Sequence, residues 1–200
     1  MVIAYHLIIT AYGWWLPNDL RGSMSREIRC DFINELGDLH FGRKRVLPNS
    51  RSIREFYHRA SNVLLHPLLE FDNEDRQLIA KSFAEAIVRE RYTCYAFAMM
   101  RDHTHLCIRK HKHSAEQMIL TLQEFSRRAM IAAGRRTFDH PVWGGPGWKV
   151  FLDEPEDIWR TIRYVENNPI KAGESTQTYS FVSKYDNWPF HKQQPQNRKR

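Results

Sequence analysis

Two short apolar runs joined by a polar pair constrain the fold of this chain more than any other feature of its sequence. The first run ends at Met100, and the second begins with His103-Thr-His105 after the pair Arg101-Asp102. This pattern predicts two neighbouring strands connected by a tight turn. Side chains alternate along a strand, so His103 and His105 point to the same face, one step apart. Two imidazoles placed in this way can bind one divalent metal, although His-x-His on a strand also occurs without function.

The other elements follow from periodicity and capping residues. A further strand is predicted over Val2 to Thr10 and a short one over 149–152. Helices are predicted over 50–60, over about 72–91, from a capping box at 114–117, and from Asp153 to about Asn168, where Pro169 is expected to end the helix. Residues 143–148 are expected to form a flexible aromatic loop.

The resulting order is β, α, β, β, α, β and one more helix. It predicts an α+β, ferredoxin-like (split βαβ) fold, in which an antiparallel four-stranded sheet carries helices on one face. Strands one and three are then central neighbours, and the last helix lies across the open face. We expect a single domain over 1–190 with a loop insertion at about 11–50, and a basic, disordered tail over 191–200.

The charge of the chain favours a polyanionic partner. Thirty basic and 23 acidic residues give a net charge of +7, which suits binding to nucleic acid. The three cysteines show no CxxC spacing, and there is neither a signal peptide nor an apolar run of about 18 residues. We therefore expect a soluble, cytoplasmic protein without a membrane partner.

The last predicted helix carries Tyr164 and Asn168, which are four residues apart and lie on one face. Taken singly, the tyrosine is typical of an amphipathic helix and the asparagine of a helix end. Their combination with His-x-His on a strand of a basic protein indicates a functional site.

These motifs resemble those of the HUH-type single-tyrosine transposases, especially the bacterial REP-associated tyrosine transposases. Residues 100–108, Met-Arg-Asp-His-Thr-His-Leu-Cys-Ile, are similar to the family's Met-Pro-x-His-hydrophobic-His segment. Residues 164–173, Tyr-Val-Glu-Asn-Asn-Pro-Ile-Lys-Ala-Gly, are similar to its Tyr-Ile-x-x-Asn-Pro-Val-Lys-Ala-Gly segment. Residues 12–22, Tyr-Gly-Trp-Trp-Leu-Pro-Asn-Asp-Leu-Arg-Gly, resemble a loop of some members. Arg101 replaces the family's proline, and Thr104 replaces a hydrophobic residue but faces away from the histidines.

The resemblance implies a site and a reaction. His103 and His105 would bind Mg²⁺ or Mn²⁺, with Asn168 as a third ligand and Tyr164 as the nucleophile. The implied reaction is cleavage and strand transfer of single-stranded DNA beside a hairpin (REP-like) element, through a 5′-phosphotyrosine. The implied enzyme is a transposase that acts as a monomer or a homodimer.

Basic and aromatic residues are the candidates for contacting the DNA. Aromatic rings can stack on unpaired bases, and cationic side chains can bind phosphates, although core packing also accounts for tryptophans. The candidates are Arg43, Lys44, Arg45, Arg127, Arg128, Trp14 and Trp15, with Trp143 and Trp148 as further aromatic residues.

Two other functions fit the same residues. One is a non-catalytic module of the same fold that binds single-stranded nucleic acid. The other is a metal-dependent hydrolase that uses water as its nucleophile, in which Tyr164 is structural. An RNA-recognition module has the same topology, but its aromatic Lys-Gly-Phe-x-Phe strand is absent from this sequence.

Overall fold

The computed structural model describes residues 1–42 and 44–190, and four of its strands form one antiparallel sheet. The strands are β1 (Ala4–Thr10), β2 (Cys94–Met99), β3 (His103–Arg109) and β4 (Trp148–Leu152), in the spatial order β2-β3-β1-β4. All neighbouring pairs are antiparallel, and β1 and β3 are the central strands. The predicted split βαβ sheet is confirmed. The predicted tail, 191–200, lies outside the described residues.

Capping residues set where the helices begin, as the sequence predicts. The helices are α1 (Ser50–Val63), α2 (Asn73–Glu90), α3 (Ala115–Ala132) and α4 (Pro155–Lys171). Asp72 accepts a hydrogen bond from the amide of Asp75 at the start of α2, and Ser114 and Gln117 form the capping box of α3. Within the described ranges, no helix has both the length and the apolar character that a membrane crossing requires.

The helices cover the two faces of the sheet separately. On one face, α2 and α3 pack over the apolar side chains of β1 and β3, which include Leu7, Ile9 and Leu106. On the other face, α4 buries its own apolar stripe, Ile158, Ile162 and Val165, against β2 and β3. Because strand side chains alternate, each central strand contributes to both cores.

Replacing Phe83 on α2 tests the packing of the larger core, which lies between α2, α3 and the sheet. Its side chain is fully buried between α2 and the sheet, so replacing it with alanine leaves a cavity. Phe83→Ala is expected to lower the free energy of unfolding by about 3–5 kcal/mol, measured by urea denaturation. Val88 on the same helix is 74% exposed, and Val88→Ala is the matched control, with an expected change within about 0.5 kcal/mol. Equal effects of the two substitutions would contradict this packing.

The segment between β1 and α2 has a small core of its own. The side chains of Ile33, Leu36, Phe56, Tyr57 and Ala60 are buried together there, between α1 and a 3₁₀ helix over Asp31–Leu36. The expected loop insertion at about 11–50 is therefore packed against α1, and Trp14, Leu16 and Leu20 join this core.

The end of α4 differs from the sequence prediction. Pro169 was expected to end the helix near Asn168, but the helix continues to Lys171 with the buried proline inside it. A proline this close to a helix end costs one backbone hydrogen bond only. The turn that closes the helix is made by Gly173, which follows the C-cap Ala172 and has a positive φ of 78°. The amide of Gly173 donates to the carbonyl of Ile170, and the amide of Glu174 donates to that of Pro169, which is the Schellman pattern.

Candidate active site

The two histidines of β3 lie in the centre of the sheet, on the face that α4 covers. His105 is paired with Ile8 of β1, and His103 with Thr10. Their ring centroids are 4.7 Å apart. His105 is buried, whereas His103 is partly open to solvent. The structure thus places both rings side by side, with one edge accessible.

Each of the two rings has a hydrogen-bond partner at Nδ1. The Nδ1 of His103 lies 2.6 Å from Oδ1 of Asp102, and the Nδ1 of His105 lies 3.0 Å from Nε2 of His6 on β1. An ionised carboxylate only accepts hydrogen bonds, so Nδ1 of His103 is the donor. In both rings Nε2 is the nitrogen left for another ligand, which is the arrangement typical of metal-binding histidines.

Burial and the ring–carboxylate pair set the charges of the site. Burial of Asp102 acts to raise its pKa, but the hydrogen bond from His103 and the charge of that ring outweigh this and lower the pKa below its ordinary value. Burial lowers the pKa of His105 well below its ordinary value, and the neighbouring His103 and His6 lower it further. Burial also lowers the pKa of His6 to about 4. At neutral pH, His6 and His105 are therefore neutral and Asp102 is an anion.

Asp102 is expected to act through His103. Asp102→Asn keeps the size of the side chain but removes the anion that orients the ring, so we expect metal affinity to fall about 10–100-fold. Isothermal titration with Mn²⁺ measures this. Asp157→Asn, which changes a half-exposed carboxylate on α4, is the control with unchanged affinity. Wild-type affinity in Asp102→Asn would contradict the orienting role.

Tyr164 reaches the histidines from α4. Its ring centroid is 5.5 Å from that of His105 and 5.7 Å from that of His6, and both contacts are edge-to-face. The residue is 45% exposed, and Nζ of Lys171 lies 5.6 Å from its ring centroid. A partly exposed phenol therefore lies directly beside the imidazole pair, where a ligand can approach it.

Asn168 follows Tyr164 by one turn of α4 and shares its face. The amide nitrogen of Asn168 is buried and has no hydrogen-bond partner among the described residues. A buried amide without a partner costs free energy, so it indicates a group that this side chain meets in the working protein. Rotating the amide by 180° places its oxygen at the same position.

The donor chemistry of these side chains, two imidazoles and one amide, suits a divalent metal. The two Nε2 atoms are uncommitted, and the unsatisfied Asn168 amide supplies an oxygen after rotation. In the part of the chain that the structure describes, no three His, Cys, Asp or Glu side chains converge on one metal position. A metal held by His103, His105 and Asn168 would thus keep open positions for a substrate and would not be a closed structural site.

Residues 11–23, which include Trp14 and Trp15, lie near the site, and their aromatic side chains pack against neighbouring residues. Trp14 donates its indole N–H to the carbonyl of Leu69 at 2.8 Å, which favours a structural role. Trp15 stacks on the guanidinium of Arg21, 3.8 Å from the ring centroid to Cζ. Arg21 also pairs with Asp19, and its charge helps to lower the pKa of Asp102. Arg21, with Trp15 stacked on it, is therefore near enough to Asp102 for its charge to act on the site.

The remaining aromatic candidates are structural or strand residues. Trp143 is buried in the larger core and donates its indole N–H to Oγ of Ser126 at 2.9 Å. The prediction of a flexible aromatic loop is therefore wrong at Trp143, because the ring fills space between α3 and the sheet. Trp148 begins β4 and is half-buried.

The structure does not bring the predicted basic residues to the histidines as one group. Arg127 and Arg128 lie on α3, which packs on the opposite face of the sheet. Arg127 donates to the carbonyl of Phe138, and Arg128 pairs with Glu124. Lys44 is half-buried and Arg45 exposed in the insertion, while Arg43 lies outside the described residues.

Sequence reasoning missed His6 and Asp102 as parts of the site. Asp102 directly precedes His103, so its proximity was visible in the sequence. His6 lies 99 residues from His105, and only the register of β1 against β3 brings the two rings together. An isolated histidine in an apolar strand, on the face opposite to Leu7 and Ile9, was the available signal.

Two solved structures align with most of this chain. No protein-family model matches the chain, and no curated protein matches it. Its structure aligns with a REP-associated tyrosine transposase bound to a REP hairpin, at 9% identity and a TM-score of 0.45, over 86% of this chain and 69% of that one. It also aligns with a protein assigned to the transposases from Deinococcus radiodurans R1, at 13% identity and a TM-score of 0.39, over 84% and 91% of the two chains. At these identities and TM-scores the alignments say nothing about the roles of residues, which rest on the site itself.

Proposed function

We propose that this protein is a metal-dependent endonuclease and strand transferase for single-stranded DNA, of the HUH transposase type, with Tyr164 as its nucleophile. One observation carries the proposal. The ring centroid of Tyr164 lies 5.5 Å from that of His105, and the Nε2 atoms of His105 and of its neighbour His103 are both uncommitted. The net charge of +7 supports a polyanionic substrate. The resemblance of residues 100–108 and 164–173 to the family motifs supports DNA beside a REP-like hairpin.

The chain's own residues account for a nucleophilic displacement at phosphorus. The Oη of Tyr164 attacks the phosphorus, and the bond from phosphorus to the 3′ oxygen of the preceding nucleotide breaks. The phenol loses its proton and the departing oxygen gains one, which leaves a 5′-phosphotyrosine and a free 3′-OH. Attack by a second 3′-OH reverses these steps and releases Tyr164. The phosphotyrosine conserves the phosphodiester, so strand transfer needs no nucleotide cofactor.

Side chains from two elements would hold Mg²⁺ or Mn²⁺ beside Tyr164. His103 and His105 offer Nε2 from β3, and Asn168 offers its amide oxygen from α4. Asp102 and His6 engage the opposite nitrogens of the two rings. When bound, such a metal neutralises charge on a non-bridging phosphate oxygen and orients the phosphate for attack.

The test is capture of the covalent adduct. Purified full-length protein is incubated with end-labelled single-stranded DNA that carries a hairpin from the flanks of its gene, in Mn²⁺ or in EDTA. The products are separated on a denaturing gel, and the adduct is digested and mapped by mass spectrometry. We expect an adduct only with Mn²⁺, on Tyr164.

The other outcomes identify the competing functions. Metal-dependent cleavage without an adduct would replace the proposal with a hydrolase that uses water. Tight binding of the DNA without cleavage would replace it with a recognition module. An adduct on a different residue would overturn the assignment of the nucleophile.

A further inference from the structure

We propose that His6 is a positioning residue that accepts the Nδ1 proton of His105 and so keeps the Nε2 of His105 free for a metal. The inference rests on the proposed metal site and adds to it a residue from β1. The residue also lies beside the phenol of Tyr164, so one side chain contacts both a ligand and the nucleophile.

The geometry of the pair is specific. His6 and His105 lie on neighbouring central strands, and their side chains project from the same face towards α4. Nε2 of His6 is 3.0 Å from Nδ1 of His105, and the ring centroids are 5.1 Å apart with an angle of 33° between the planes. Both side chains are largely buried, so water is a poor substitute for either partner.

One proton lies between the two rings, and its position decides what His105 can bind. If Nε2 of His6 holds this proton, His105 as a neutral ring must carry its own proton on Nε2, which blocks metal binding there. If Nδ1 of His105 holds it, the lone pair of Nε2 is free. The second arrangement requires an acceptor at position 6, because a buried Nδ1–H without a partner costs free energy.

The two histidines of β3 therefore differ in the kind of hydrogen-bond partner at Nδ1. An ionised Asp102 can only accept from His103, so the neutral His103 ring carries its proton on Nδ1, which is the metal-binding tautomer. His6 can accept or donate, so His105 has two tautomers available. The side chain at position 6 is the element that selects between them.

Glutamine and asparagine at position 6 test this selection. A glutamine side chain places its oxygen near the position of the histidine Nε2, whereas an asparagine places it near Nδ1 and does not reach His105. Mn²⁺ affinity is measured without DNA by electron paramagnetic resonance, and the tautomer of His105 in the metal-free proteins by ¹⁵N NMR. His113→Asn, which changes a histidine bonded to Tyr92 in the connection after β3, is the control.

We expect His6→Asn to weaken Mn²⁺ binding about 10–100-fold and to lower the population of the Nδ1–H tautomer of His105. His6→Gln should keep most of both. Equal Mn²⁺ affinity in wild type and His6→Asn would overturn the inference, as would a wild-type His105 that carries its proton on Nε2. The wild-type NMR measurement needs no variant, so it decides the question even if His6→Asn does not fold.

The same measurements separate this inference from the proposed function. Mn²⁺ binding that depends on residue 6, in a protein that never forms a DNA adduct, would refute the function and leave the role of His6 in place. Adduct formation and Mn²⁺ affinity that are both unchanged in His6→Asn would refute the role of His6 and leave the function in place.

Discussion

Replacing Tyr164 with phenylalanine is expected to abolish the covalent protein–DNA adduct and to lower strand cleavage by more than about a thousandfold. Phenylalanine keeps the ring that contacts His105 and His6 but lacks the oxygen that attacks phosphorus. Tyr164 is 45% exposed, so removing its hydroxyl takes little from the packing of the fold. The thermal midpoint and the affinity for the single-stranded DNA should therefore stay close to those of wild type.

A second tyrosine provides the matched control. Tyr179 packs on Phe97, on the side of the sheet that α2 and α3 cover, and its hydroxyl donates to Gln177. Tyr179→Phe removes a hydroxyl of the same chemistry far from the histidines and should cleave DNA at the wild-type rate. Undiminished cleavage by Tyr164→Phe would favour the hydrolase that uses water and would exclude Tyr164 as the nucleophile.

Replacing His103 with alanine is expected to lower metal-dependent cleavage by at least about 100-fold. The substitution removes one of the two imidazole ligands and leaves Asp102 without its partner. His103 is partly exposed at the start of β3, so its loss should leave the fold intact, as measured by circular dichroism and thermal unfolding. Mn²⁺ affinity, measured without DNA, should fall in parallel with activity.

A histidine outside the site controls for this substitution. His111 belongs to the polar connection between β3 and α3, and His111→Ala should retain both Mn²⁺ affinity and cleavage. Cleavage by His103→Ala at the wild-type rate would remove His103 from the ligand set. Loss of Mn²⁺ binding in both variants would instead indicate that the measured ion binds elsewhere.

The sheet could be predicted because its signals are local. The alternation around His103 and His105, the apolar run of β1 and the capping box at Ser114 each depend on residues within one element. The topology then followed from the order of elements, because few arrangements of β, α, β, β, α, β are compatible with short connections. The prediction for the end of α4 is wrong, because Pro169 is accommodated in the last turn of the helix and the positive φ of Gly173 closes it.

The residues that hold the two histidines in place could not be predicted, because their contacts depend on the register between strands. Whether His6 faces His105 is decided by which residue of β1 lies opposite which residue of β3, and a shift of one residue would turn His6 to the other face. Arg127 and Arg128 likewise lie away from the histidines because α3 covers the opposite face of the sheet, which the sequence does not specify. Motif reading identifies candidate ligands, whereas packing identifies what holds them.

The central position of β1 has a consequence for synthesis of the protein. Among the four strands β1 is made first, but its partners, β3 and β4, emerge about 100 and 145 residues later, and α4 follows β4. The sheet therefore closes late, through contacts that are distant in sequence. A nascent chain, or one truncated before α4, has neither Tyr164 nor Asn168 beside the histidines. Under the proposed function, DNA-cutting activity would then arise only after the segment through α4 has been translated.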